Sequence, residues 1–172
     1  MFSLIHAVLL RALPYPAPDR LVRVGHDAGQ AVSIPELTFW KEHTAGFASA
    51  AGFRGSGDRS FLYGARPEWV STMVVTAYFF RTLGVAPALG REFDGQETQQ
   101  GGPLAVILTD GLWHRSCNDA PDILGRTVRL DDTSYVVIGV LPRRPAAPGR
   151  LLQPARTPGR PAEGDRGSPR DG

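Results

Sequence analysis

The sequence predicts an α+β domain of mixed small sheets with short helices, and two observations carry that expectation. Between Ala77 and Pro142 run three glycine-punctuated blocks, each pairing an apolar stretch with a polar turn. Those blocks specify backbone geometry but no reactive group, as a packed α+β module does. The length, 172 residues with 42% hydrophobic content, is enough for one domain with a real core. Chains of about 150 residues bury close to 70% of their unfolded surface.

Charge and composition exclude several functions. Residues 143–172 hold 7 of the 19 basic and 3 of the 17 acidic residues, leaving 12 basic and 14 acidic ones in the body. The sequence pI of about 9.0 is therefore a property of the tail, and gives no ground for nucleic-acid binding by the folded part. The one lysine, Lys41, follows Trp40 rather than a glycine, so no phosphate-binding Gly-Lys-Ser/Thr loop is encoded. The one cysteine, Cys117, excludes an internal disulfide and a multi-cysteine zinc site.

Along the chain, Met1–Leu13 is an apolar run interrupted by His6 and stopped by Arg11. It is shorter than the roughly 20 residues that span a bilayer, and lacks the features of a secretory signal. It reads either as the end of a membrane helix or as a short amphipathic helix. Pro14, Pro16 and Pro18 then forbid helix and favour a stiff, extended spacer. Leu21–Val24 reads as a short strand. Ser33–His43 reads as a helix, with Ser33 and Glu36 at capping-box spacing, Pro35 near the first turn, and Leu37, Trp40 and Thr44 on the inward side.

Phe47–Phe53, Ser60–Tyr63 and Glu68–Thr76 read as a meander, with Gly55-Ser56-Gly57-Asp58 as a hairpin turn and a second turn over Gly64–Pro67. Those glycines do not form a dinucleotide fingerprint, since Ser60 stands where a third glycine is needed. Ser56 lacks the glycine frame of a hydrolase elbow, because Arg54 holds the first position. Next, Ala77-Tyr78-Phe79-Phe80 leads into a helix ending at Leu83, with Gly84 as a left-handed cap. Val85–Leu89 is extended, and Gly90-Arg91 forms a tight turn before Phe93. Arg91 suggests an anion site; the plainer reading is a solvated surface arginine or a structural partner for Glu92, Asp94 or another carboxylate.

Leu104–Leu108 is a continuous apolar run, expected to be a strand buried on both faces. Asp110 is expected to cap a helix through Cys117. There His114 and Cys117 stand at i, i+3, the one nucleophile-like pair in the chain. A burial role for Cys117 is the plainer reading. Thr127–Leu130 and Tyr135–Leu141 form a hairpin about Asp131–Ser134, preceded by a turn at Gly125-Arg126. Residues 143–172 hold seven Arg, six Pro and five Gly, with Leu151 and Leu152 as the only large apolar groups. Disorder is expected there.

The blocks Y-F-F-R-T-L-G-V-A-P-A-L-G-R-E-F (78–93), L-A-V-I-L-T-D-G-L-W (104–113) and I-L-G-R-T-V-R-L-D-D-T-S-Y-V-V-I-G-V-L-P (123–142) resemble, in order and register, the periplasmic core domain of MacB-like ABC transporter permeases of the FtsX-like permease family. Ala7–Val24 is similar to the passage from a first membrane helix into that domain. The resemblance covers roughly Phe2–Pro142. It departs at Cys117, where the family has phenylalanine, and at Asn118-Asp119-Ala120-Pro121, where the family has a Gly-Gly-Asp-Pro-like turn.

The resemblance implies a division into 1–13, the end of a truncated transmembrane helix; 14–142, a partial core domain; and 143–172, a disordered tail whose text resembles an out-of-frame reading. It further implies a fragment of a permease in the bacterial inner membrane, its main domain periplasmic, relaying ATP-driven movement for efflux or export. No catalytic, cofactor-binding or metal residue is expected; ATP would be bound by a separate or missing ATPase domain. Expected partners are an ABC ATPase subunit, a periplasmic adaptor protein, membrane lipid and, in the intact permease, a second copy, with no nucleic acid. Two other classes remain open: a free-standing extracytoplasmic binding module using Trp40, Trp69 or Trp113, and a thiol enzyme using Cys117 and His114.

Overall fold

The computed structural model describes residues 17, 20–22, 34–43, 46–143 and 151–154. Met1–Leu13, Pro14 and Pro16, Arg23, Val24, Ser33 and Thr44 lie outside them, as do the expectations placed there. Helix α1 spans Ile34–His43 with Glu36 in its first turn, where a carboxylate favours the helix N-terminus. Leu37 packs over Gly52, where an added Cβ would stand 3.3 Å from its Cδ2.

Strand β1 (Phe53–Leu62) pairs antiparallel with β2 (Pro67–Val75) from Phe53↔Val75 to Leu62↔Pro67. The strand runs straight through Gly55–Asp58, so the hairpin turn expected there is a β-bulge between Gly55 and Gly57 instead, and the chain reverses at 63–66. A glycine with positive φ suits a bulge as well as a turn. Gly57 has φ 79°; Ser56 is the extra, unpaired residue of the ladder, while Gly55, Gly57 and Asp58 keep cross-strand partners in Met73, Thr72 and Ser71.

Helix α2 (Phe79–Leu83) ends as expected at Gly84, φ 71°, whose N–H reaches Arg81 O at 3.1 Å. The chain then runs through Val85 to the two-residue strand β3 (Leu89–Gly90). Strand β4 (Ala105–Leu108) is buried at all four positions, as its unbroken apolar text predicts. Helix α3 (Asp110–Cys117) follows; its N-cap is Thr109, with Asp110 inside the first turn. The hairpin β5 (Thr127–Leu130) and β6 (Thr133–Val140) turns at Asp131-Asp132. Asp131, φ 53°, stitches that turn to β1: its Oδ1 accepts from Ser60 N at 3.0 Å and its N donates to Ser60 O at 2.8 Å.

The sequence predicts no ordered element beyond Pro142, yet Leu151–Pro154 forms strand β7. It lies parallel to β2 and antiparallel to β4. The strands join in one mixed sheet of order β3-β6-β4-β7-β2-β1-β5, and β5 also pairs with β6, so the sheet curls back on itself. β6 shares one edge between β5 and β3 and gives the other to β4.

Two apolar clusters lie on opposite faces of this sheet, and β4 serves both. Val106 and Leu108 join Phe61, Val70, Val128, Leu130, Tyr135 and Val137, closed over by Leu112, Cys117 and Ile123. Ala105 and Ile107 face the other way, towards Met73, Val75, Phe79, Phe80, Phe93 and Leu141. Alternate residues of a strand point to opposite faces, so four consecutive apolar residues are what a strand between two cores requires. The α+β class read from the sequence is the class observed.

Candidate functional site

Helix α3 carries the two residues whose spacing suggested a thiol–imidazole pair, and the fold sends them in different directions. Cys117 is 3% exposed, packed in the cluster beneath α3. Burial, aided by the nearby Glu68 carboxylate, pushes its thiol up to about 11. That is the opposite of what a nucleophile needs, since reactive cysteines sit in electropositive, partly exposed settings. His114 lies at the surface and is engaged at both ring nitrogens: Nε2 stands 3.1 Å from Asp110 Oδ1, and Nδ1 meets Asp119. Glu68 on β2 accepts from Arg115 and Ser116, tying the last turn of α3 to the sheet. Helical spacing brings the pair near one another in azimuth, but this face straddles the boundary between core and solvent.

Trp69 and Trp113 do not line a common groove. Trp113 packs against the same cluster as Val70 and donates Nε1–H to Ala120 O at 3.1 Å. Trp69 precedes Val70 on β2 and so projects from the other face, 71% exposed. Trp40 is half-buried on α1.

Arg91 serves structure, as one of its two readings anticipated. Its guanidinium meets Glu97, lies 3.5 Å from Asp94 Oδ2 and donates to Glu92 O at 3.0 Å. The Glu97 hydrogen bond raises its pKa further above an already high value. Glu97 is 2% exposed, and its second oxygen accepts from Asp94 N at 2.8 Å. Asp94 in turn accepts from Gln96 N at 2.8 Å, a bond that holds its carboxyl below the ordinary range. Sequence reasoning missed Glu97. A signal was present, because Asp94-x-x-Glu97 has the spacing of a capping box, and the reciprocal bond from Glu97 back to the Asp94 amide is the one that box makes.

Among the described residues no three His, Cys, Asp or Glu side chains are grouped to hold a metal ion. No described helix is long and apolar enough to cross a membrane. Within the 91–97 turn Arg91 pairs with Asp94 and Glu97, His114 meets Asp110 and Asp119, and Arg115 fastens α3 to Glu68 on β2. Trp69 stands exposed on one face of the sheet.

The family model of the MacB-like periplasmic core domain matches residues 1–166. No curated protein matches the sequence. Among solved structures, the periplasmic region of MacB from Actinobacillus actinomycetemcomitans is similar with a TM-score of 0.58 and 14% identity, over 74% of this chain and 56% of that one. The extracellular domain of the noncanonic ABC-type transporter YknZ from Gram-positive bacteria is similar with a TM-score of 0.60 and 14% identity, over 72% of this chain and 63% of that one. At such identities the likeness is one of fold, and the chain spans a little over half the length of these domains. The match of the family model across 166 of 172 residues goes further: the chain belongs to the family of MacB-like periplasmic core domains of ABC-type transporter permeases.

Proposed function

We propose that this chain is the extracytoplasmic part of an ABC transporter permease and that it relays ATP-driven movement during efflux or export. The observation that carries the reading is β4, fully buried on both faces at the junction of two cores. Close-packed interiors resist compression, so a displacement applied at one end of such a domain reappears at the other as a rigid-body tilt. Hydrolysis of ATP falls to an ATPase domain, on a separate subunit or elsewhere in a longer chain, since these 172 residues hold no Gly-Lys-Ser/Thr step. A periplasmic adaptor, membrane lipid and a second copy complete the proposed assembly.

The exposure of Trp69 supports a second reading, a protein-binding module outside the membrane. One pair of measurements separates them. An alkaline phosphatase reporter inserted at Gly64, in the β1–β2 turn, is active in either case if the domain lies outside the cytoplasm. Co-purification of an ABC ATPase from detergent-solubilised membranes is expected only of the permease. An inactive reporter overturns both readings, and recovery of the chain without any ATPase overturns the first.

A further inference from the structure

The sheet has a gap one strand wide between β2 and β4, and the way it is filled sets β7 apart from the other strands. β2 gives one edge to β1, and β4 gives one edge to β6. Their remaining edges face each other across the gap. Both strands are interior: Ile107, Leu108 and Val75 are 0% exposed, and Thr72 and Met73 2%. Buried backbone N–H and C=O groups must find partners, so these edges call for an extended segment running parallel to β2 and antiparallel to β4. β7 meets that demand in a single register, Thr72↔Leu151 through Val75↔Pro154 on one side, with Ile107↔Leu152 and Leu108↔Leu151 on the other.

The donor is short. It makes four pairings with β2 and two with β4, and its last residue, Pro154, has no N–H to donate. It lies in the Arg/Pro/Gly-rich segment 143–172, separated from Arg143 by the seven residues 144–150. A strand placed between two cores calls for apolar residues at successive positions, one for each face. Leu151-Leu152 is the only pair of adjacent large apolar residues in that segment.

We propose that the gap between β2 and β4 is a strand-acceptor slot, and that Leu151–Pro154 is its separable donor strand, supplied by the same chain. The slot recognises an extended peptide by main-chain pairing along two edges and by two adjacent large aliphatic residues, the mode in which a strand is added to a sheet. This inference rests on the sheet alone and stands or falls apart from the transporter reading.

The test uses the full chain carrying Val74→Cys and Gln153→Cys, which are direct partners in the β2–β7 register. Neighbouring strands hold Cα atoms at a separation that a disulfide spans, and Cys117 is buried away from solvent. Mild oxidation is expected to give an intrachain disulfide. An excess of a synthetic peptide of residues 149–156 added beforehand is expected to lower its yield several-fold, while the same peptide with aspartate at both leucine positions leaves the yield unchanged. No disulfide in a chain that remains folded overturns the placement of β7. A disulfide-linked dimer overturns supply by the same chain, and a yield indifferent to the leucine peptide overturns separability. Amide exchange of Tyr135 and Val137 in the β5–β6 hairpin, measured in parallel, reports that the variant is folded.

Discussion

Gly90 and Gly139 face each other as register partners of β3 and β6, and neither leaves room for a side chain. A Cβ on Gly90 would stand 2.1 Å from Ile138 O, and one on Gly139 would stand 2.6 Å from Arg91 O. The close approach lets Arg91 N donate to Ile138 O at 3.0 Å and Ala88 N donate to Val140 O at 2.8 Å. Two glycines far apart in sequence are therefore one packing feature, which holds the 85–93 segment flat against the sheet.

Replacing Gly90 by alanine is expected to destabilise the fold by at least about 2 kcal/mol. The change adds backbone strain at φ 74° to a clash with a main-chain atom that cannot move aside cheaply. Gly111→Ala provides the control. It sits in the first turn of α3 with nothing within 4 Å of an added Cβ, and alanine there should stabilise by about 0.5–1 kcal/mol. Urea midpoints of the two variants should move in opposite directions.

The Arg91–Glu97 pair gives an asymmetric expectation. Arg91→Ala leaves a carboxylate that is 2% exposed without its guanidinium, and leaving that one buried group short of a partner costs about 2 kcal/mol. Glu97→Gln retains an acceptor for Asp94 N and leaves a half-exposed arginine that water can serve, so its cost should be about 1 kcal/mol. Equal losses in thermal or urea denaturation would show that Glu97 is not the buried member that the geometry makes it.

Much of this architecture was legible because local chemistry and tertiary demand coincide. The continuous apolar text of 105–108 is read the same way by a strand pattern and by two cores, and Gly84 ends α2 where a left-handed cap belongs. The misreadings fall where they diverge. Gly55–Asp58 has turn chemistry, but pairing with β2 along nine positions carries the strand through it as a bulge. Leu151–Pro154 has no propensity signal beyond two leucines, and only the facing edges of β2 and β4 make it a strand. At α3, spacing gave the proximity of His114 and Cys117 but not the side of the core boundary on which each lies.

Trp69 separates stability from recognition. At 71% exposure it contributes little to the core, so Trp69→Thr, which keeps a β-favouring residue on β2, should change the unfolding free energy by no more than about 0.5 kcal/mol. A larger loss by chemical denaturation would mean that the ring is packed by a part of the protein beyond the described residues. If stability holds and association with a partner protein weakens, the binding-module reading gains its contact residue.

The thiol of Cys117 supplies a pH dependence whose sign is fixed. Its folded value, about 11, lies above the roughly 8.5 of an unfolded cysteine, so the folded chain retains the proton after the unfolded chain has lost it. The resulting stability is complete below pH 8.5 and is lost progressively as pH rises towards 11, amounting at most to about 3 kcal/mol. Cys117→Ala removes this dependence while keeping the position apolar. Unfolding free energies measured from pH 8 to 10.5 should therefore fall more steeply for the native chain than for the variant. The same burial predicts that iodoacetamide at pH 8 modifies Cys117 only as fast as the core opens, so alkylation should accelerate with urea in step with unfolding. A rapid reaction in the absence of denaturant, or parallel pH profiles for the two proteins, would place this thiol in solvent and return the Cys117–His114 pair to consideration as chemistry.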